Sequence, residues 1–159
     1  MDMRRKDREL TRAEGLEIID KCAYAVLAVA DGETPYALPL SVCRIGGDVY
    51  FHSAAAGKKT ELLTDGAKVR MVFVGEVRAY ENEFTTAYES AIAVGEVTLV
   101  TEREKKIAAL KALCEKYCPA NMREFDREIG RSLAVTNVYK DTLLSITAKA
   151  KRSAAHGIE

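Results

Sequence analysis

Alternation of apolar and polar positions dominates the middle of the chain. Tyr24 to Ala30 is an apolar run closed by Asp31-Gly32, which predicts a first strand and a turn. Pro35 to Ile45 predicts a second strand, and Gly46-Gly47 closes a hairpin into a third, Val49 to Ser53. Ala67 to Val77 sets Val69, Met71 and Phe73 on one face and Lys68 and Arg70 on the other. Phe84 to Val100 predicts a long strand with Tyr88, Ser90, Ile92 and Val94 on one face. Gly95 predicts a bend in it, because an internal glycine often marks a bulge. Val135 to Ala150 closes the series around Leu143 to Thr147. Short strands joined by tight turns predict an antiparallel meander rather than βαβ units.

Helical spacing occurs between these runs. Thr11-Arg12-Ala13-Glu14 fits a capping box and opens a helix carrying Leu16, Ile19 and Ala23, ending near Lys21 or Cys22. A short helix over 57–65 turns Leu62 and Leu63 inward, with Gly66 as its stop. Thr101 to Glu104 predicts a second capping box, and the next helix aligns Leu110, Leu113, Cys114 and Tyr117 before Pro119 ends it. Asn121 predicts the cap of a further helix, with Met122, Phe125 and Ile129 inward and Gly130 as its stop. The sum is a mainly β chain with peripheral helices (β+α), six antiparallel strands suggesting a small barrel. Periodicity alone leaves sandwich and barrel open.

Length and charge exclude several classes. The 159 residues fit one domain, able to bury roughly 70% of its unfolded surface without disulfide staples. Lysines and arginines number 24, as do the acidic residues, which argues against a general nucleic-acid binder. No apolar run approaches the ~20 residues of a membrane span. The charged start, Arg4 to Glu9, lacks the apolar core of a signal peptide, so a cytoplasmic protein with reduced cysteines is expected. Cys114 and Cys118 read as small apolar residues on a helix face rather than as a metal site. The segment 151–159, with His156, reads as a polar tail.

The chemistry concentrates in residues 48–63. A strand ending in His52 and Ser53 leads through small residues and Gly57 to Lys58, Lys59 and a short helix. Small residues admit a ligand close to the backbone, and a helix start, a hydroxyl and two ammonium groups complement a phosphate. The segment is not a P-loop, because that motif's earlier glycine is missing. A strand-to-helix junction with solvated lysines is the plainer reading of the same residues.

Three blocks change that balance: Pro35-Tyr36-Ala37-Leu38-Pro39-Leu40, Tyr50 to Lys59, and Tyr88-Glu89-Ser90. In order and spacing they resemble the FMN-binding split-barrel superfamily, closest to its pyridoxamine 5′-phosphate oxidase-related, nitroimidazole-resistance (Nim-type) branch. The resemblance spans about residues 3 to 149. It implies a six-stranded split barrel, a homodimer, and FMN in a groove between subunits. It assigns Lys59, Lys58 and Ser53 to the FMN phosphate, and Leu38, Pro39, Leu40 and Ser41 to the flavin ring. It sets Ser90 in contact with FMN and His52 beside the flavin as the catalytic candidate.

The implied chemistry is an oxidoreductase cycle from NAD(P)H to a small organic acceptor, with no Rossmann site for the nicotinamide. A flavin carrier without turnover is one alternative. A split barrel holding haem, with His52 as axial ligand, or the deazaflavin F420 is another. The sequence departs from its relatives in reading Ile146-Thr147-Ala148-Lys149 where a glycine is common at the third place. It also lacks the C-terminal arginine motif by which pyridoxamine phosphate oxidases hold their substrate, which argues against vitamin B6 oxidation.

Overall fold

In the computed structural model, which describes residues 4–152, the alternating runs become one antiparallel sheet. Its strands are β1 (Glu9–Leu10), β2 (Ala25–Asp31), β3 (Thr34–Leu40), β4 (Cys43–Ile45), β5 (Asp48–Ala54), β6 (Ala67–Tyr80), β7 (Thr85–Leu99) and β8 (Thr136–Lys151). The helices are α1 (Arg12–Lys21), α2 (Lys58–Leu62), α3 (Arg103–Tyr117) and α4 (Phe125–Ser132). His156 and the rest of the tail from 153 lie outside the described residues.

The strand order is β3-β2-β6-β7-β8-β5-β4, with β1 added to β8. The two ends of this path, β3 and β4, are consecutive in the chain and separated only by Ser41 and Val42. The sheet must therefore curl until its edges meet at that link, although the edges do not pair. This is the architecture of a split barrel. Eight strands replace the expected six for two reasons. The chain turns at Ser41-Val42, dividing the second predicted strand, and Glu9-Leu10 of the charged lead-in pairs with Lys149-Ala148.

The interior follows from alternation. Leu27 and Val29 of β2, Val49 and Phe51 of β5, Val69, Met71 and Phe73 of β6, and Ala91 and Ala93 of β7 all point into one buried core. Phe51 stacks on Tyr139 of β8 at 5.4 Å between ring centroids. Ile18 and Ile19 of α1 belong to the same core. Thr11 and Glu14 cap α1 reciprocally, at 2.8 Å from the Thr11 amide and 3.3 Å from the Glu14 amide. Ala23 lies beyond the helix and is exposed. Gly15 lets α1 approach β8 closely, since a Cβ there would stand 3.0 Å from that of Ala148. Ala148 thus fills the space the helix glycine leaves. At Gly95 the β7–β8 register shifts, as expected of a bulge.

The later helices depart from expectation. No capping box forms at Thr101; α3 starts at Arg103 after Glu102, whose carboxylate pairs instead with Lys105 at 2.6 Å. Residues Pro119–Glu124 form a 3-10 turn, so α4 starts at Phe125 rather than at an Asn121 cap. Gly130 lies within α4, where a glycine costs only about 1 kcal/mol, and stops nothing. Cys118 is exposed where α3 ends, whereas Cys22 and Cys43 are buried. A second apolar cluster, including Cys43, Leu110, Leu113 and Val138, seats α3 on the outer face of β4, β5 and β8. No helix among the described residues is long and apolar enough to cross a membrane.

Candidate functional site

The strand β5 and the helix α2 bring His52, Ser53, Lys58 and Lys59 into one segment. Gly57 makes the turn between them at φ 121, a conformation that side chains disfavour. Thr60 ties the turn down by donating its hydroxyl to the Ala54 carbonyl at 3.2 Å. Lys59 folds back over β5 and donates to the main-chain carbonyl of His52 at 3.4 Å. Burial lowers the affinity of Lys59 for its proton, because a desolvated ammonium lacks compensation. Lys58 is engaged otherwise, 2.8 Å from Asp31 at the β2–β3 turn, and that hydrogen bond raises its pKa. The His52 pKa is lowered, first by partial desolvation of a ring that is crowded by its neighbours although its surface remains open, and second by the Lys59 charge; both favour the neutral imidazole.

The period of two divides the predicted residues between the faces of the wall. Leu38, Leu40 and Ser53 point inward; Leu40 and Ser53 are buried and Leu38 packs on the core. Their side chains cannot reach a ligand outside the barrel, so only their main chain is available there. Pro39, Ser41 and His52 are exposed on the outer surface, and Ser90 is half-buried on the same surface. Strand β3 is an edge, and Pro35 and Pro39 share a parity with Ala37. Prolines are tolerated where the missing N–H would face away from the partner strand. The open edge therefore offers carbonyls at 35, 37 and 39 and one donor, the Ala37 N–H.

Ser90 stands apart from the lysines. Leu40 pairs with Ala25, Ala25 with Phe73, and Cys43 with Tyr50. Extending the first two ladders by one residue and the third by two gives an outward row His52, Ser41, Tyr24, Val74, and Val74 pairs with Ser90. Four strand steps place Ser90 about 19 Å around the wall from His52. The row crosses an exposed apolar face with Tyr24 53%, Val74 39%, Val77 59% and Ile92 37% exposed.

His52 and Ser41 also form one wall of a cleft of about 770 Å³ beneath α3 and α4. The stripe predicted on α3, Leu110, Leu113, Cys114 and Tyr117, lines it, as do Met122, Phe125 and Ile129. Tyr117 fastens α3 to the β3–β4 link: its hydroxyl accepts from the Val42 N–H at 3.0 Å and donates to the Val42 carbonyl at 3.1 Å.

Sequence reasoning missed Asp141. It is fully buried, pairs in register with Val49 and Val97, and neither carboxylate oxygen has a hydrogen-bond partner among the described residues. Burial, with a smaller contribution from Asp48, raises its pKa to about 7. A charged residue at an inward parity, between Tyr139 and Leu143, was the available signal.

Comparison with known proteins agrees with this architecture. No curated protein matches the sequence significantly. Among solved structures, a Bacteroides thetaiotaomicron protein described as a candidate 5-nitroimidazole antibiotic resistance protein aligns with a TM-score of 0.69 at 21% identity, over 89% of this chain and 86% of that one. The flavocytochrome Anf3 from Azotobacter vinelandii aligns with a TM-score of 0.77 at 18% identity, over 96% and 73% of the two chains. The FAD and heme binding protein from Mycobacterium smegmatis gives 0.75 at 19% identity, over 95% and 81%. At such identities these structures show a shared fold. The family model described as pyridoxamine 5′-phosphate oxidase matches residues 11–150, nearly the whole chain, and the chain belongs to that family.

Proposed function

We propose that the protein is a cytoplasmic homodimeric flavoprotein that binds FMN and passes electrons from NAD(P)H to a small organic acceptor. The observation that carries this reading is Lys59, a partly buried ammonium without an acidic partner among the described residues, held over β5 beside His52. A desolvated cation of this kind is complemented by an anion such as a phosphomonoester. Lys59 holds the phosphate, and Lys58 assists once it leaves Asp31. The carbonyl-rich open edge of β3 suits the hydrogen-bond donor of a flavin's pyrimidine edge, while Pro39 and Ser41 border the ring. FMN, when bound, supplies the electron transfer that no side chain here can perform. His52, neutral and exposed, holds or passes a proton at the second substrate.

The apolar outer face supports the dimer. It is continuous with Pro39 and Ser90, so a second copy packed there would bring its Ser90 toward the flavin edge. That resolves the separation of Ser90 from Lys59 within one subunit. Solved structures of this fold that bind FAD, or a flavin with haem, support a flavin here without fixing its kind.

The test is anaerobic. FMN-loaded protein is mixed with NADH or NADPH, and the flavin absorbance is followed before and after adding a nitroaromatic acceptor. Bleaching followed by recovery supports turnover. Stable FMN binding with no bleaching by either nicotinamide contradicts it and leaves a carrier.

A further inference from the structure

We infer that the cleft beneath α3 and α4 is the chamber for the second substrate, and that it selects a neutral, planar ligand of at least two fused rings, of the naphthoquinone class. The inference rests on the flavin reading above and specifies what the same site accepts. The cleft shares His52 and Ser41 with the proposed flavin border, so a ligand inside it lies against the residues that face the ring. Its volume of about 770 Å³ falls in the range of sites for ligands well above a single ring, roughly 300–1,000 Å³. Leu113, Met122, Phe125 and Ile129 offer apolar contact, and Tyr117 is held in place by its two bonds to Val42.

Charge at the rim sets the second criterion. Of the charged residues that line the cleft, Arg127 is paired with Glu124 at 2.7 Å and Glu128 has no ion-pair partner among the described residues; Arg123, 3.9 Å from Glu124, is not part of the lining. The rim is therefore negative on balance and disfavours anionic ligands. A one-ring ligand leaves much of the apolar wall uncovered and gains less from burial.

The chain contains no tryptophan, so Phe125→Trp and Ile129→Trp each place a sole tryptophan in the cleft, read by excitation on the red edge of its band where the seven tyrosines do not absorb. Each variant is titrated, without cofactor and with FMN, using 2,3-dimethyl-1,4-naphthoquinone, the one-ring duroquinone and the anionic anthraquinone-2-sulfonate. The inference expects saturable quenching by the naphthoquinone in both forms, with affinity at least tenfold above the other two probes. Equal quenching by all three, no saturable quenching in either folded variant, or displacement of the naphthoquinone by FMN overturns it. Failure of the flavin reading shows separately, as an absence of bound FMN in the unsubstituted protein.

Discussion

The Lys59 ammonium lies 3.4 Å from the main-chain carbonyl of His52, so the cation and the candidate proton-handling group belong to one locally folded unit. Charge-assisted hydrogen bonds contribute about 1.5–3 kcal/mol, so Lys59→Ala should weaken FMN binding roughly 10- to 100-fold. Lys58→Ala should cost less, because Asp31 already competes for that side chain. Titration calorimetry with FMN on both variants checks the order, and a larger loss at Lys58 would contradict it.

Asp141 predicts the pH dependence of stability. Its pKa of about 7 in the fold lies above the ordinary carboxyl value of 3.8, so folding favours the protonated form. The stabilisation is complete below pH 4 and is lost as the pH rises through 7. The difference of about three units corresponds to about 4 kcal/mol. Melting temperatures should fall between pH 5 and pH 8.5 in the parent and change much less in Asp141→Asn. Parallel profiles would contradict the assignment.

Gly95 and Asp141 occupy one space: a methyl group at 95 would overlap the Asp141 carboxyl. Gly95→Ala should therefore destabilise by about 1–3 kcal/mol through overpacking, and adding Asp141→Ala should restore part of the loss. Denaturant midpoints of the two single variants and the double variant measure the coupling, which should be well above zero.

Tyr117 joins α3 to the β3–β4 link through both polar groups of Val42. Tyr117→Phe leaves the amide of a buried residue unpaired and should cost about 1–3 kcal/mol. Hydrogen exchange at the Val42 amide should accelerate in the variant, whereas the β6–β7 ladder should be unaffected.

The exposed row with Tyr24, Val74 and Ile92 predicts the assembly state. Light scattering should give a dimer for the parent and a monomer for Val74→Lys combined with Ile92→Lys. A parent monomer, or a dimer that survives both lysines, would contradict a dimer through this face.

Much of the fold was legible because alternation reports burial directly. Val69, Met71 and Phe73 face inward as their spacing predicts, and the Gly95 bulge lies where the glycine does. The division of the second strand at Ser41-Val42 was not legible, since one serine followed by a β-branched valine, with no glycine, asparagine or aspartate beside it, is a weak turn signal. It follows from barrel closure, a property of the whole sheet. The helix starts at Arg103 and Phe125 escaped because a capping pattern is local, whereas packing of α3 and α4 over the barrel sets their limits. At the site, residue types located the β5–α2 segment. They gave no warning that Ser53 would point into the core or that Asp31 would hold Lys58. The cleft was partly written in the α3 stripe, but its opposite wall comes from residues some seventy positions earlier.

Whether the protein carries a flavin held by Lys59 is read from the visible absorption spectrum of freshly purified protein beside that of Lys59→Ala. A flavin spectrum is expected in the parent and should be weakened or lost in the variant. A colourless parent that also fails to take up added FMN would contradict it.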